Sequence, residues 1–413
     1  MCLVLNSRKS KVIKSQVSDF QTFRLSDFPT VIFGIDVNCL TLPNKTGVER
    51  YVDCLVRAMM TVPLRQGDTV RLYVAKLPTT NYQLPNNWEF RLLPFALPKG
   101  WTHLRLSWEL FRNPPDVFFN PSHEIPAFVS KKTRIVSTVH DLAFLRVPAA
   151  YSPKGGQRQK IAIARGVMKA TKLLAISEAT KNDLVELAHA DATKIVVTPL
   201  AVNASDFTVT PEQKSEVLKR YRLSAGKYFL YVGRLETKKN VVTLLRAFAE
   251  LKKDLGVGHP IELVLAGKWG YGEEAIKQTL AVNNNGVRVL GFTPEEDLAS
   301  LYSGALAFCF PSLYEGFGMP VLEAAAAQVP VIASDIPALR EVMGDAAVFV
   351  SPLHVVGWTV AMRRMVFESA LRAECVEKGN ARVAAFSWGS TANKTMEQLV
   401  AAYNLPATTY KLK

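Results

Sequence analysis

The sequence predicts an α/β protein in which two doubly wound parallel sheets follow one another and face a common cleft. Three observations predict it. The chain has 413 residues, about twice the ~100–200 of a typical domain. Short apolar runs rich in β-branched and aromatic residues alternate with stretches of helical periodicity, as in parallel sheets covered on both faces. The alternation lapses over residues 203–227, which contain Pro211 and no strand-like run, and begins again at Tyr228.

Residues 1–29 carry no such pattern and are expected to be an irregular extension. In the first half, strands are predicted at Thr30–Val37, Thr69–Ala75, Trp88–Pro94, Asp116–Pro121, Thr133–Asp141, Lys172–Ser177 and Lys194–Val202. Helical periodicity falls between several of them, at Val48–Thr61, Trp101–Asn113, Lys154–Ala170 and Glu178–His189. The segment 203–227 reads as a connection. Strands are then predicted at Tyr228–Gly233, Ile261–Gly267, Val287–Phe292, Leu306–Ser312, Pro330–Asp335 and Ala346–Ser351, with helices at Val241–Leu255, Glu295–Ala305, Pro320–Gln328 and Ala338–Met343. The implied domains are residues 30–203 and 204–384. In such sheets ligands bind outside the carboxyl ends of the strands, so two facing domains enclose a cleft.

Composition narrows the class. Apolar residues make up 48%, charged residues 21% and aromatics 9%, which excludes a disordered, collagen-like or heptad-repeat chain. No apolar stretch approaches the ~18 residues needed to cross a bilayer. The start, Met1-Cys2-Leu3-Val4-Leu5 followed by Arg8, Lys9, Lys11 and Lys14, reverses the charged-then-apolar order of a signal peptide, so a cytoplasmic location is expected. Five cysteines without a close pair indicate neither a disulfide framework nor a cysteine zinc site. The net charge is +14, and its placement is uneven: residues 1–203 hold 27 Lys/Arg against 15 Asp/Glu, whereas residues 204–413 hold 23 against 21. The basic half is expected to meet something anionic, a phospholipid surface, a lipid-linked phosphate or nucleic acid, or else to be solubilised by its charge.

The most informative segment is Pro311-Ser-Leu-Tyr-Glu315-Gly-Phe317-Gly318-Met319-Pro320-Val-Leu-Glu323. A strand ends near Ser312, a glycine-containing loop follows, and Pro320 suits the first turn of a helix. Backbone N–H groups at that helix start and the Gly316/Gly318 backbone are suited to a phosphate. Glu315 on the loop and Glu323, expected in the first helical turn, suit sugar hydroxyls. The bland alternative is that Glu323 complements the helix dipole and the glycines only turn the chain. A second cluster, Gly233-Arg234 through Lys239-Asn240, opens at a strand's carboxyl end. There Arg234 and Lys239 are able to neutralise a diphosphate without a metal, although a solvated basic loop is the commoner fate of such runs. In the first half, Gly47 precedes a helix and allows close backbone approach, and His140 ends the run Arg134–Asp141 where the cleft is expected, suited to a sugar hydroxyl or to acid/base work.

Taken together these segments are recognisable. The chain resembles the large family of retaining glycosyltransferases that includes bacterial mannosyltransferases of O-antigen and polysaccharide assembly, family 4 in the usual classification (glycosyl transferases group 1), with the two-domain GT-B fold. Matching stretches run in order from Gly34 to about Trp388: Thr46-Gly-Val-Glu-Arg-Tyr51, Thr138-Val-His140-Asp141-Leu-Ala-Phe144, Ile176-Ser-Glu-Ala-Thr-Lys181, Gly233-Arg234 through Lys239-Asn240, the Glu315-x7-Glu323 element, and Ser334-Asp-Ile-Pro-Ala-Leu-Arg-Glu341-Val. The resemblance implies that Arg234 and Lys239 bind the donor's diphosphate, Glu323 its ribose hydroxyls and Glu315 the transferred sugar. It further implies that backbone amides of Phe317, Gly318 and Met319 hold sugar and phosphate, that Gly47 adjoins the diphosphate, and that His140 touches a sugar hydroxyl. A helix near Trp388–Tyr403, within about 385–413, is expected to return to the first domain. Three positions depart from the family pattern: Gln328 and Ala201 stand where glycine is usual, and Lys238 where arginine is common.

The expected activity is therefore transfer of a hexose, mannose favoured, from a nucleotide diphosphate sugar to a saccharide or lipid-linked saccharide with retention of configuration. GDP-mannose leads as donor, with UDP-sugars behind it. No cofactor and no metal ion are expected, since the sequence has no Asp-x-Asp motif and offers Arg234, Lys239 and helix N-termini for charge stabilisation. The partners expected are donor, acceptor and an anionic membrane surface on the inner face of the cytoplasmic membrane. The rivals are a nucleotide-sugar 2-epimerase, a donor-binding pseudoenzyme, and a nucleic-acid-binding protein, which would need a recognition signature that the sequence lacks.

Overall fold

The computed structural model describes residues 30–42, 47–97, 99–122, 124–256 and 258–405. The first sheet has seven strands: β1 (Ile32–Asp36), β2 (Thr69–Val74), β3 (Trp88–Leu92), β4 (Val117–Asn120), β5 (Arg134–Val139), β6 (Lys172–Ala175) and β7 (Ile195–Val197). The second has six: β8 (Tyr228–Val232), β9 (Glu262–Ala266), β10 (Val287–Gly291), β11 (Ala307–Phe310), β12 (Val331–Ser334) and β13 (Ala347–Val350). Every neighbouring pair in both sheets is parallel. The spatial orders are β3-β2-β1-β4-β5-β6-β7 and β10-β9-β8-β11-β12-β13. Each sheet therefore reverses its winding once, between β1 and β4 and between β8 and β11, and those junctions are where an open α/β sheet leaves room for a ligand.

Helix periodicity explains the covering layers. In the helix Val241–Leu255, Val241, Leu244, Leu245, Phe248 and Leu251 are fully buried, each contributing about 1.5–3 kcal/mol relative to exposure. In the helix Gly47–Met59 the buried stripe is Tyr51, Val52, Leu55, Val56 and Met59. Three helices close the chain. Val355–Phe367 packs on Val241–Leu255, Ser369–Ala384 packs on Met319–Ala326, and Trp388–Tyr403 crosses to the first half to cover Gly47–Met59 and β4–β6. Thr391 in that last helix donates to the Pro199 carbonyl at 2.6 Å.

Some expectations need correction. Residues 203–227 are more than a connection: they hold a 3-10 turn, Ala204–Phe207, and the helix Pro211–Arg220. A reciprocal capping box between Thr210 and Gln213 starts that helix, with Pro211 in its first turn. Its end is tied down by Arg220, 3.0 Å from the buried Asp297. The helix Glu273–Val282 follows β9, outside the predicted elements. Residues 101–113 form a π turn over Thr102–Leu106 before the α-helix Ser107–Arg112. Gln328 sits just past the helix Met319–Ala326 with φ +58°, the left-handed conformation for which glycine is usual, and the side chain costs about 1–2 kcal/mol there. Ala201 is fully buried in the core. The expected extension, residues 1–29, lies outside the described residues. No described helix is long and apolar enough to cross a membrane.

Candidate active site

At the switch point of the second sheet, β8 runs out into Gly233-Arg234 and β11 into the loop Pro311–Gly318. Lys239 closes a 3-10 turn, Thr237–Lys239, that is fixed to this loop at two points. Asn240, at φ +54°, donates from Nδ2 to the Pro311 carbonyl (3.0 Å) and the Pro352 carbonyl (2.7 Å), and Leu313 N–H donates to the Lys238 carbonyl (2.9 Å). The consequence is that Lys239 Nζ lies 2.6 Å from Glu315 Oε1 and 5.2 Å from the centre of the Phe310 ring. Both side chains are largely buried, so each charge depends on the other.

The helix Met319–Ala326 starts beside this pair. Gly318 precedes it at φ +102° with the Leu339 side chain where a Cβ would stand, so only glycine fits. Glu323 lies in the second helical turn, not the first as expected, because the helix begins at Met319. It is 3% exposed. Its Oε2 accepts from the Tyr302 hydroxyl at 3.0 Å, and its Oε1 is 2.8 Å from Nη1 of Arg50, whose Nε is 3.1 Å from Glu295. Arg50 belongs to the helix Gly47–Met59 of the first half, so this ion pair spans the cleft.

Further contacts join the two halves around this loop. The Gly316 carbonyl accepts from Ser177 Oγ (2.5 Å) and Thr180 Oγ1 (3.1 Å), and a Cβ at Gly316 would overlap the His140 carbonyl oxygen. Lys238 Nζ is 3.1 Å from Asp141 Oδ2. Burial works against the Lys238 charge, but Asp141, with Glu315, Tyr151 and Glu236 around it, raises its pKa overall. Glu341 caps the helix Glu178–Ala188 from the opposite half, accepting from the N–H groups of Glu178 (2.8 Å) and Ala179 (3.0 Å).

His140 thus stands one backbone contact from the Glu315 loop. Its Nε2 is 2.8 Å from the Pro121 carbonyl, and because a carbonyl only accepts, that nitrogen carries a proton. The ring meets Tyr51 edge-to-face at 4.9 Å, and the Tyr51 hydroxyl pairs with Thr138 Oγ1 at 3.0 Å. Gly47 opens the helix that carries Arg50, and among the described residues, its own helix backbone and chain neighbours aside, no atom lies within 4 Å of where its Cβ would stand. Phe317 buries its ring against Phe386 at 5.5 Å, which leaves only its backbone for a ligand, and Met319 occupies the first helical position.

The structure therefore brings together Lys239, Glu315, Gly318, Met319 and Glu323, with His140 facing them. Arg234 stands apart: its side chain is 66% exposed and lies 3.6 Å from Glu236 rather than beside Lys239. Sequence reading missed four side chains. Arg50 and Asp141 stand within motifs that give them no role of their own, Tyr302 carries no signal beyond helical periodicity, and Asp36 is hidden inside an apolar strand. Asp36 ends β1 at the first sheet's switch point, where burial pushes its pKa up to about 6 against the Asn38 N–H that its carboxylate accepts at 3.0 Å; Glu124 adds to the rise.

Comparison with known proteins identifies the family. Residues 214–382 match the family of glycosyl transferases group 1 and residues 45–206 match glycosyltransferase family 4. The O-antigen chain mannosyltransferase B of Escherichia coli is 30% identical over 295 residues, 71% of this chain and 76% of that protein. The chain belongs to the glycosyltransferase family of group 1. A second relative of this glycosyltransferase, the O-antigen chain mannosyltransferase RfbU of Salmonella typhimurium, is 28% identical over 55% of this chain and 60% of its own length. Among solved structures, the sucrose-phosphate synthase of Thermosynechococcus elongatus superposes with a TM-score of 0.71 at 19% identity, over 90% of this chain and 100% of that one. The lipopolysaccharide glycosyltransferase WaaG superposes at 0.67 and 16% identity, over 89% and 99%. These two likenesses show the fold, and the glycosyltransferase has the GT-B architecture.

Proposed function

We propose that this glycosyltransferase moves mannose from GDP-mannose to a saccharide or lipid-linked saccharide acceptor, with retention of anomeric configuration and without a metal ion. The observation that carries the reading is the buried Lys239–Glu315 pair, 2.6 Å apart at the second sheet's switch point with the start of the helix Met319–Ala326 beside it. A cation and a run of backbone donors suit a diphosphate, and the neighbouring carboxylates suit the hydroxyls of sugar and ribose. Glu323 keeps acceptor capacity for ribose hydroxyls while holding Arg50 and Tyr302, since a carboxylate offers about four lone-pair sites. The choice of mannose leans on the two O-antigen relatives, both named as mannosyltransferases.

In this reading the C1–O bond to the diphosphate breaks while an acceptor hydroxyl oxygen bonds C1 on the same face, and the hydroxyl proton passes to the departing phosphate oxygen. Lys239, with Arg234 turning inward from solvent, balances the charge that grows on the diphosphate. His140, protonated at Nε2 and held by Pro121 and Tyr51, orients a sugar hydroxyl. A thermal-shift panel of GDP- and UDP-sugars, followed by product analysis with added acceptor, tests the proposal. GDP-mannose should stabilise the protein most and be consumed. Stabilisation by a UDP-sugar alone would reassign the donor, and inversion at C2 without transfer would indicate an epimerase.

A further inference from the structure

The first sheet carries a helical layer whose outer face is not that of an ordinary solvated surface. Along residues 102–112, Leu104, Trp108 and Phe111 recur at helical spacing and are 58%, 59% and 63% exposed, with the Trp108 and Phe111 ring centres 6.4 Å apart. Phe128, 71% exposed, lies against the same helix because its N–H donates to Ser107 Oγ at 3.3 Å. On the other side of that loop, Lys169 Nζ donates to the Ala127 carbonyl at 2.8 Å, which seats the helix Pro153–Lys169 alongside. Leu106, Leu110 and Ile163 from the two helices share one core cluster beneath.

The second helix supplies charge of one sign. Lys154, Arg158, Ile161, Arg165 and Met168 follow the 4-3-4-3 spacing of a single helical stripe, and the helix contains no Asp or Glu. Glu109, the carboxylate of the aromatic helix, is buried and held by Arg91 (3.0 Å) and Arg105 (3.2 Å), so it does not offset that charge at the surface. Large aromatics clustered beside a basic, acid-free stripe complement a bilayer whose headgroups are negative: rings enter the headgroup–acyl boundary while cations stay among phosphates.

We propose that this face, with Trp108, Phe111 and Phe128 as insertion points and the stripe Arg158–Arg165 as the electrostatic contact, docks the enzyme on an anionic phospholipid bilayer. The placement fits the chemistry. Tyr151, two residues before the basic helix, lies by Lys238 at the cleft, so a membrane on this face borders the mouth through which a lipid-linked acceptor would arrive. The purpose of the surface rests on the lipid-linked acceptor proposed above, whereas its docking is testable without any donor or acceptor.

The full-length chain is sedimented with vesicles of phosphatidylglycerol and phosphatidylethanolamine, or of phosphatidylcholine alone. Two double variants are compared, Trp108→Ser with Phe111→Ser and Arg158→Glu with Arg165→Glu, both checked for an unchanged unfolding midpoint. The parent should bind the anionic vesicles and be weakened by salt, and each variant should bind about tenfold or more weakly. Lipids brominated in the acyl chain should quench indole emission in the parent and lose most of that effect in Trp108→Phe. Equal binding by parent and variants, equal binding to neutral vesicles, or variants that alter only self-association would overturn the proposal. Failure of the donor panel would leave these outcomes unchanged, so the two readings fail separately.

Discussion

Arg50 Nη1 lies 2.8 Å from Glu323 Oε1, so a helix of the first half grips the carboxylate that the Glu-x7-Glu element places in the second half. A buried carboxylate that loses its cation costs about 3–5 kcal/mol. Arg50 therefore pairs with Glu323 and aligns it rather than touching the donor itself. Glu323→Gln should weaken nucleotide binding by roughly ten- to a hundredfold, the range of charge-assisted hydrogen bonds. Arg50→Ala should weaken it by about tenfold while lowering the unfolding midpoint. Calorimetric titration with GDP checks both. Tighter binding in Arg50→Ala would mean that the ion pair shuts the cleft against the nucleotide.

Arg234 is the clean test of diphosphate stabilisation because its side chain is mostly in solvent and holds its largely buried partner, Glu236, only loosely at 3.6 Å. Arg234→Ala should lower turnover by about ten- to a thousandfold, as when one stabilising donor is removed from a transition state, with an unchanged unfolding midpoint. Chelator should leave the parent active. Normal turnover at saturating donor, or activity that needs added magnesium or manganese, would contradict the role given to Arg234.

For His140 the contact proposed is with the transferred sugar, so turnover and nucleotide affinity should separate. His140→Ala should lower turnover by at least about tenfold while GDP affinity changes little. Steady-state kinetics beside calorimetry would show it. A parallel fall in both would indicate that His140 supports the Pro121–Tyr51 packing and no more.

Asp36 gives a pH dependence of stability. Its folded pKa is raised to about 6, so the native state holds a proton that the unfolded chain has already released. Stability from this group is present below the unfolded value near 4 and falls as pH rises through about 6. Asp36→Asn should remove that fall, which in the parent amounts to about 2 kcal/mol of stability between pH 4.5 and pH 7. Denaturant unfolding at pH 4.5 and pH 7 measures it. Parallel curves would place the carboxylate's pKa in the ordinary range.

Much of this was legible because local chemistry and global fold agree. Central strands such as β4 and β11 were plain because they are buried on both faces and have no polar alternation to blur them, whereas the edge strands β3 and β10 carry Glu89, Arg91 and Arg288. Lys239 and Glu315 were findable because each follows a strand end, and Glu323 because the Glu-x7-Glu spacing ties it to Glu315. The helix Pro211–Arg220 escaped because its surface is largely charged, although the Thr210-Pro-Glu-Gln213 capping box announces it. The partners Arg50–Glu323 and Lys238–Asp141 are 273 and 97 residues apart, and no local pattern links residues that only the closing of two sheets brings together.

The anomeric configuration of the first product formed from GDP-α-mannose tests the central claim most directly. Proton NMR would follow the reaction with a simple mannoside as acceptor, or with water in its place, before mutarotation. Same-face displacement in a cleft built on Lys239, Glu315 and Glu323 predicts an α product and release of GDP. A β product, or untouched GDP-mannose where another nucleotide sugar is consumed, would contradict it.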